Sequence, residues 1–179
     1  MTSSEELILS LQLLTDKPVL YVCNVDEKNL VKPNHYVEAC LKKYGKDNVI
    51  MVCAEIENQI LELEQADRKS FIKESSINET GLDLLIKSGY KILKLVTFFT
   101  TTPKETRAWT IPKKCKAIKA AGLIHSDFEK GFIKAETISY DDFVLYKGYN
   151  EAKNSGKLRL EGKDYIVKDG EILYFRFST

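Results

Sequence analysis

The sequence predicts an α/β protein in two parts, a unit built on two parallel strands and then a small α+β domain. Two short apolar runs, residues 18–23 and 48–53, lack the alternation of a half-exposed strand, so we expect strands buried on both faces. A predicted helix between them completes a β-loop-α-β unit, whose crossover joins parallel strands. After residue 95 the pattern changes to short alternating segments with turn signals, which predicts the second part.

Helix signals surround the two predicted strands. Residues 3–14 begin with serines and acids ahead of a leucine stripe, which indicates a helix start. Asn34 is expected to cap a helix over residues 35–43. Charged residues 56–74, with apolar residues at helical spacing, predict one or two surface helices, and residues 82–95 predict a further amphipathic helix. The first domain is therefore expected to cover residues 1–95.

The second domain, residues 96–179, is predicted to consist of several short strands around one helix. The helix is predicted at 117–124, and the strands at 106–111, 132–138, 157–162, 164–167 and 171–177. Asp169-Gly170 lies between the last two strands and predicts a hairpin turn that pairs them.

Composition narrows the classes of function. The formal net charge of +1 argues against a strongly basic nucleic-acid binder, and no DNA sequence specificity is expected. Basic residues outnumber acidic ones only after residue 96, which makes the C-terminal part the better surface for a phosphate-rich partner. The four cysteines have no metal-binding spacing, so we expect no metal site and reduced thiols in a cytoplasmic protein. Neither a signal peptide nor an apolar stretch long enough to span a membrane is predicted.

Polar residues follow both apolar strands and predict a purine-binding edge. Asn24 follows the first strand and Glu55 the second. In open α/β sheets, ligands bind beyond the carboxyl ends of the strands. An Asn side chain there can pair with N6 and N7 of adenine. The alternative is that Asn24 caps a turn and that Asp26 and Glu27 are only solvated.

The residues after Asn24 favour adenine over guanine. Guanine specificity in P-loop GTPases usually needs Asn-Lys-x-Asp, whose Asp accepts hydrogen bonds from guanine N1 and N2. Here Val25 occupies the lysine position and Glu27 the final acidic one. Because the extra methylene moves the carboxylate, pairing with guanine in the usual register is disfavoured.

A basic and aromatic segment in the second domain is a candidate contact surface for RNA or the ribosome. Lysines 113, 114, 116 and 119 form a basic cluster after a predicted strand, and the candidate contacts are Arg107, Trp109, Lys113 and Lys114. Lysine and arginine can contact phosphates, and tryptophan can stack on a base. The alternative is a solvated lysine face with Trp109 in the core, since tryptophan is usually largely buried. His125 has no assignable nucleophile and is interpreted as a cap or structural residue, so no catalytic residue is predicted.

Several segments resemble the Obg-like (YchF) ATPases. Asn24-Val25-Asp26-Glu27 and Cys53-Ala54-Glu55-Ile56-Glu57 are similar to the fourth and fifth nucleotide motifs of that family, and residues 103–111 are similar to the start of its TGS domain. The resemblance continues through residues 120–136, 139–143, 159–165 and 175–177. It covers essentially the whole chain.

The resemblance implies the C-terminal half of a Ras-like P-loop nucleotide domain, followed by a β-grasp (ubiquitin-like) TGS domain. It also implies a purine nucleotide as ligand, with ATP preferred over GTP and Mg²⁺ used in the full-length family protein. The ribosome or ribosomal RNA is the implied partner, contacted through the TGS domain. The implied nucleotide-binding residues are Asn24, Val25, Glu27, Cys53, Ala54 and Glu55.

The sequence departs from the family in one respect. It contains no Gly-x-x-x-x-Gly-Lys-[Ser/Thr] segment, so the phosphate cradle and its lysine are missing. Phosphoryl transfer depends on such positioning and charge stabilisation, and this chain alone is expected not to hydrolyse ATP or to supply Mg²⁺ ligands. Two functions stay open: the purine-recognition half of an ATPase, or a TGS-based RNA- or ribosome-binding module with no nucleotide role.

Overall fold

The computed structural model describes residues 10–75 and 77–178, and it divides the chain into two units between Leu93 and Lys94. Most of the helix predicted at residues 3–14 lies outside the described residues. Its last residue, Leu14, begins a three-residue 3-10 turn, Leu14–Asp16.

The first unit contains a parallel pair of strands and five α-helices among its described residues. In chain order these are β1 (Tyr21–Asn24), α1 (Glu27–Val31), α2 (His35–Tyr44), β2 (Val49–Val52), α3 (Ala54–Glu62), α4 (Gln65–Glu74) and α5 (Gly81–Ile92). β1 pairs with β2 in parallel, and Asn24 lies opposite Val52. The predicted parallel crossover is therefore confirmed, and the segment predicted as one or two surface helices forms two.

Side-chain caps fix where the helices of this unit begin. Asn34 caps α2 as predicted, since its Oδ1 accepts a hydrogen bond from the backbone N–H of Val37 at 3.1 Å. Thr80 caps α5 in the same way. At Gly81 a Cβ atom would lie 2.6 Å from Val52 Cγ1, so the first turn of α5 approaches β2 as closely as a glycine permits.

The prediction that both strands are buried on both faces is wrong for β1. Val49 and Ile50 of β2 are buried, but Val22 of β1 is 50% exposed and Val19 just before it is 52% exposed. Parallel strands become buried when neighbours pair with both edges and helices cover both faces. Among the described residues, β1 pairs with β2 alone.

The second unit is a five-stranded mixed sheet with four α-helices in its described part. Its elements are β3 (Leu95–Thr101), β4 (Thr106–Pro112), α6 (Ala117–Ile124), α7 (Ser126–Lys130), β5 (Phe132–Ile138), α8 (Tyr140–Leu145), α9 (Tyr149–Asn154), β6 (Arg159–Glu161) and β7 (Ile172–Phe177). The strand order is β4-β3-β7-β5-β6, with β3 and β7 parallel and the other pairs antiparallel. The core lies between this sheet and α6, where Ala117 and Ala120 are fully buried and let the helix approach Phe98 and Leu173.

Three predictions for this unit are wrong. Residues 164–167 form only an isolated bridge between Ile166 and Lys116, and β7 pairs with β5 and β3 instead of forming a hairpin with them. The Asp169-Gly170 turn binds β3: the Asp169 carboxylate accepts from the N–H of Thr97 at 2.7 Å, and Gly170 donates to the Thr97 carbonyl. The expectation of a single helix is also wrong, because α7, α8 and α9 are present as well. These three helices are too short to show a clear helical period in the sequence.

No helix in the described ranges is both long and apolar enough to cross a bilayer.

Candidate functional site

The carboxyl ends of β1 and β2 meet at one edge of the first unit, and a side chain joins them. Asn24 Oδ1 accepts a hydrogen bond from the backbone N–H of Ala54 at 3.2 Å. One residue further along, Val25 N–H donates to the Val52 carbonyl at 2.9 Å. These two bonds hold the loop after β1 against the start of α3. Because a carbonyl oxygen has two lone pairs and the amide group has two donors, Asn24 keeps hydrogen-bonding capacity for a ligand.

Asp26, and not Asn24, caps the helix that follows β1. Its Oδ1 accepts from the N–H of Asn29 at 3.2 Å, which satisfies one free donor of the first turn of α1. Glu27 is the first residue of α1 and is exposed. The alternative interpretation, in which Asn24 caps the turn, is therefore wrong, because Asp26 is the capping residue.

The second strand delivers one buried and two exposed residues to the same edge. Cys53 is buried with Ile56 and Ile60 in the small core of the first unit. Ala54 and Glu55 follow it in the first turn of α3 and are exposed. Of the six predicted nucleotide-binding residues, Asn24, Glu27, Ala54 and Glu55 are exposed at this edge, Val25 is half-buried and Cys53 lies beneath the surface.

Glu57 has a structural role that the sequence did not reveal. Its carboxylate accepts hydrogen bonds from the N–H groups of Gly81, at 2.6 Å, and Leu82, at 3.4 Å. A carboxylate at a helix N-terminus satisfies free donors and interacts favourably with the helix dipole. Because 24 residues separate Glu57 from Gly81, no local pattern marks this contact.

The four predicted RNA contacts have different environments. Arg107, Lys113 and Lys114 are exposed, and Arg107 Nε pairs with the Glu105 carboxylate at 2.6 Å. Trp109 is half-buried, packs against the core cluster and donates through Nε1 to Thr100 Oγ1 at 2.9 Å. Of these four side chains, the three cations and part of the indole ring are therefore exposed to a phosphate-rich partner.

His125 is a helix cap, as interpreted from the sequence. Its Nδ1 accepts a hydrogen bond from the N–H of Asp127 at 3.2 Å, at the start of α7. In the described ranges, no group of three or more His, Cys, Asp or Glu side chains is arranged to hold a metal ion.

The second unit contains two nearly buried carboxylates, Glu171 and Glu136, that the sequence did not reveal. Glu171 accepts from the Tyr165 hydroxyl at 2.6 Å and from the Lys168 N–H at 2.9 Å, and it pairs with Arg159. Burial is the main cause that raises the pKa of Tyr165, and its hydrogen bond to Glu171 raises that pKa further.

Glu136 is the second nearly buried carboxylate. It accepts hydrogen bonds from Arg176 at 2.8 Å and from the Tyr149 hydroxyl at 2.7 Å. The Arg176 bond is the main cause that lowers the pKa of Glu136.

A groove of about 460 Å³ lies apart from the Asn24–Ala54 contact and runs along β2. All residues from Val49 to Cys53 line it, together with one side of α5 and the end of α1. Neither Asn24 nor Glu55 lines it, so the predicted purine site is an open edge and not this groove.

Comparison with known proteins relates the chain to one family. A family model named YchF-GTPase_C, described as a protein of unknown function (DUF933), matches residues 95–178. The ribosome-binding ATPase YchF of Bacillus subtilis (strain 168) is 48% identical over 179 residues, which are 98% of this chain and 49% of that protein. The ribosome-binding ATPase YchF of Pasteurella multocida (strain Pm70) is 49% identical over 168 residues, 93% of this chain and 46% of that protein.

Solved structures show the same relation. The YchF GTPase of Schizosaccharomyces pombe matches with a TM-score of 0.83 and 33% identity, over 98% of this chain and 48% of that one. A GTP-binding protein of Pyrococcus horikoshii OT3 matches with a TM-score of 0.60 and 16% identity, over 91% of this chain and 46% of that one, which shows a shared fold. The chain thus spans about half the length of the relatives that it matches.

Proposed function

Because the chain belongs to the YchF family and corresponds to the C-terminal half of its relatives, we propose that it carries the purine-reading part of an ATP-binding protein. The observation that supports this function is the bond from the Ala54 N–H to Asn24 Oδ1, which holds two loops at the carboxyl edge of a parallel sheet. In this proposal Asn24 reads the adenine edge, Val25 and Ala54 form the walls, and Glu27 and Glu55 accept from donors on the ligand. Cys53 supports the edge from below.

The proposed role is recognition and not hydrolysis. The sequence has no P-loop segment, and the described residues offer no cluster of carboxylates for Mg²⁺. We therefore assign no step of phosphoryl transfer and no metal ligand to this chain. The bacterial relatives are ribosome-binding ATPases about twice as long as this chain, so ATP hydrolysis is a property that we propose only for the longer protein.

Titration of ATP and GTP tests the base-reading role. A full-length form is made by joining the N-terminal half of the Bacillus subtilis relative to this chain, and Asn24→Ala is compared in it with Asn58→Ala, an exposed position on α3. Loss of a bidentate base contact is expected to weaken ATP binding by about 1–3 kcal/mol, and Asn58→Ala is expected to leave it unchanged. Equal affinities of the wild type and Asn24→Ala would remove Asn24 from base recognition.

We propose a second function for residues 96–179, which we interpret as a TGS domain that contacts the ribosome or ribosomal RNA in the cytoplasm. The exposed cations Arg107, Lys113 and Lys114 and the excess of basic residues after residue 96 support it. Electrostatic contacts with phosphates weaken steeply as salt increases.

Co-sedimentation of the whole chain with ribosomes at low and high salt tests this function. The double variant Lys113→Glu/Lys114→Glu is expected to reduce both the association and its salt dependence, whereas Lys42→Glu/Lys43→Glu on α2 is expected to change neither. No association at low salt, or equal loss in both double variants, would contradict the proposed contact surface.

A further inference from the structure

Within the described residues, β2 pairs only with β1, and its other edge forms the floor of the groove. All of Val49–Cys53 line the groove, and no residue of β1 does. Successive side chains of a strand point to opposite faces, and a groove that follows the edge of the strand contacts every residue. Since β1 occupies one edge of β2, the groove follows the other.

Backbone groups of β2 point into this groove. The Val52 carbonyl accepts from the Val25 N–H and therefore faces β1. Backbone groups of successive residues in a strand alternate between its two edges, so the N–H and C=O of Met51 face away from β1. Nothing in the described part of the chain forms a hydrogen bond with them. An unpaired donor and acceptor on a strand edge are a template for another strand.

The walls of the groove suit apolar side chains on both sides of such a strand. On one side α5 contributes Leu84 and Ser88, four residues apart and thus on one stripe of the helix. On the other side lie Leu30 and Val31 at the end of α1, and Val31 is largely exposed. β2 is four residues long, so the groove accommodates about four residues of extended chain at about 3.3 Å each.

Charge marks one end of the groove. Lys46 lines it at the start of β2, is exposed, and has no ion-pair partner within the described ranges. Its neighbours Asp47 and Lys91 pair with each other, at 2.5 Å. The charge that is left uncompensated at this end is therefore positive, and a carboxylate on the occupant complements it.

We propose that this groove binds an extended apolar peptide segment with an acidic residue at one end, which adds as a third strand to the free edge of β2. Main-chain hydrogen bonds to Met51 provide affinity for the peptide. The apolar walls and Lys46 provide specificity for its apolar and acidic side chains. This site is separate from the proposed purine site, and its test does not depend on nucleotide binding.

Binding of defined probes to the whole chain tests the proposal. The probes are two fluorescent peptides with blocked ends, Asp-Val-Thr-Val-Thr-Val and the same residues in reverse order, which place the carboxylate for either strand direction. We expect saturable binding of at least one, followed by fluorescence anisotropy. Methylation of its central amide nitrogens removes the donors and is expected to weaken binding about tenfold or more. Equal binding of the methylated probe, or no binding of either probe, would overturn strand addition.

Matched variants locate the site. Ser88→Phe fills the groove and is expected to weaken probe binding about tenfold or more, while Leu85→Phe on the exposed side of the same helix is expected to leave it unchanged. Lys46→Glu is expected to weaken binding about twofold to fivefold, and Lys42→Glu, outside the groove, to have no effect. Equal effects within either pair would place the peptide elsewhere. A dimer that Ser88→Phe dissociates would make a second copy the occupant and overturn the proposal.

Hydrogen exchange on the wild-type chain gives a measurement that needs no variant. The probe is expected to slow exchange of the Met51 amide about tenfold or more, and to leave the Ile50 amide, which faces β1, unchanged. An unchanged Met51 rate at a saturating concentration of the probe would rule out the proposed pairing.

Discussion

The two units of the chain are of similar length but differ in how much apolar surface they bury. In its described residues, the second unit closes a five-stranded sheet over a cluster of eight buried residues and contains the fully buried side chains Phe98, Ile138 and Leu173. The described part of the first unit has a two-stranded sheet and a cluster of three, and it leaves large apolar side chains exposed on β1 and α5. Because the larger cluster removes more apolar surface from water, we expect the second unit to be the more stable folding unit.

The largest effect is expected from truncation in the core of the second unit. Phe98 is fully buried, and Phe98→Ala is expected to lower the free energy of unfolding by about 3–5 kcal/mol because it leaves a cavity. Val22→Ala on the exposed side of β1 is expected to change stability by about 0.5 kcal/mol or less. Denaturation is followed by fluorescence of Trp109, the single tryptophan, for the second unit and by hydrogen exchange of the β2 amides for the first unit. Similar effects of the two variants would contradict the difference between the units.

A smaller effect is expected where α5 approaches β2. Gly81→Ala places a Cβ atom 2.6 Å from Val52 Cγ1 and is expected to destabilise the first unit by about 1–3 kcal/mol. Gly89→Ala is the matched control on the same helix, because its added Cβ has no atom of another described element within 4 Å. It is expected to stabilise the helix by about 0.5–1 kcal/mol. Hydrogen exchange of β2 amides separates the two outcomes, and a neutral Gly81→Ala would contradict the close packing.

The smallest effect is a pH dependence in the second unit. Arg176 and Tyr149 stabilise the charged form of Glu136 and lower its pKa, so its contribution is present above the unfolded pKa of about 4.3 and is lost as pH falls through the lower, folded value. Glu136→Gln is expected to cost about 1 kcal/mol at neutral pH and to flatten this acid dependence. Glu151→Gln, at an exposed position, is the control. Unfolding curves between neutral and acidic pH with the same slope for both variants would remove Glu136 as a source.

Local patterns predicted the elements whose signals lie within the elements themselves. The bounds of α6 and β5 agree with the sequence prediction, because an apolar helix stripe and an alternating strand are complete within each segment. The hairpin prediction is wrong because its outcome depends on a distant contact. Asp169 and Gly170 form a turn as expected, but the Asp169 carboxylate binds Thr97, 72 residues earlier in the chain.

In the candidate site, too, some features followed from local sequence patterns and others depended on distant contacts. The meeting of Asn24 and Glu55 at one edge followed from two parallel strands, and the structure brings both to that edge. Two features could not be inferred from the sequence: the contact between Glu57 and Gly81, and the edge of β2 that no described strand pairs with. Each depends on which elements become neighbours in space. The exposure of β1 likewise depends on strand order, which no single segment encodes.

The single side chain of Asn24 performs two tasks. One lone pair of its carbonyl oxygen holds the neighbouring loop through Ala54, while the other lone pair and the amino group remain for a ligand. An aspartate at this position would retain the anchoring acceptor and replace the donor by a negative charge. In the proposed purine site, loop architecture and ligand preference are therefore separable at one residue, and selectivity there would be open to redesign without a change of the scaffold.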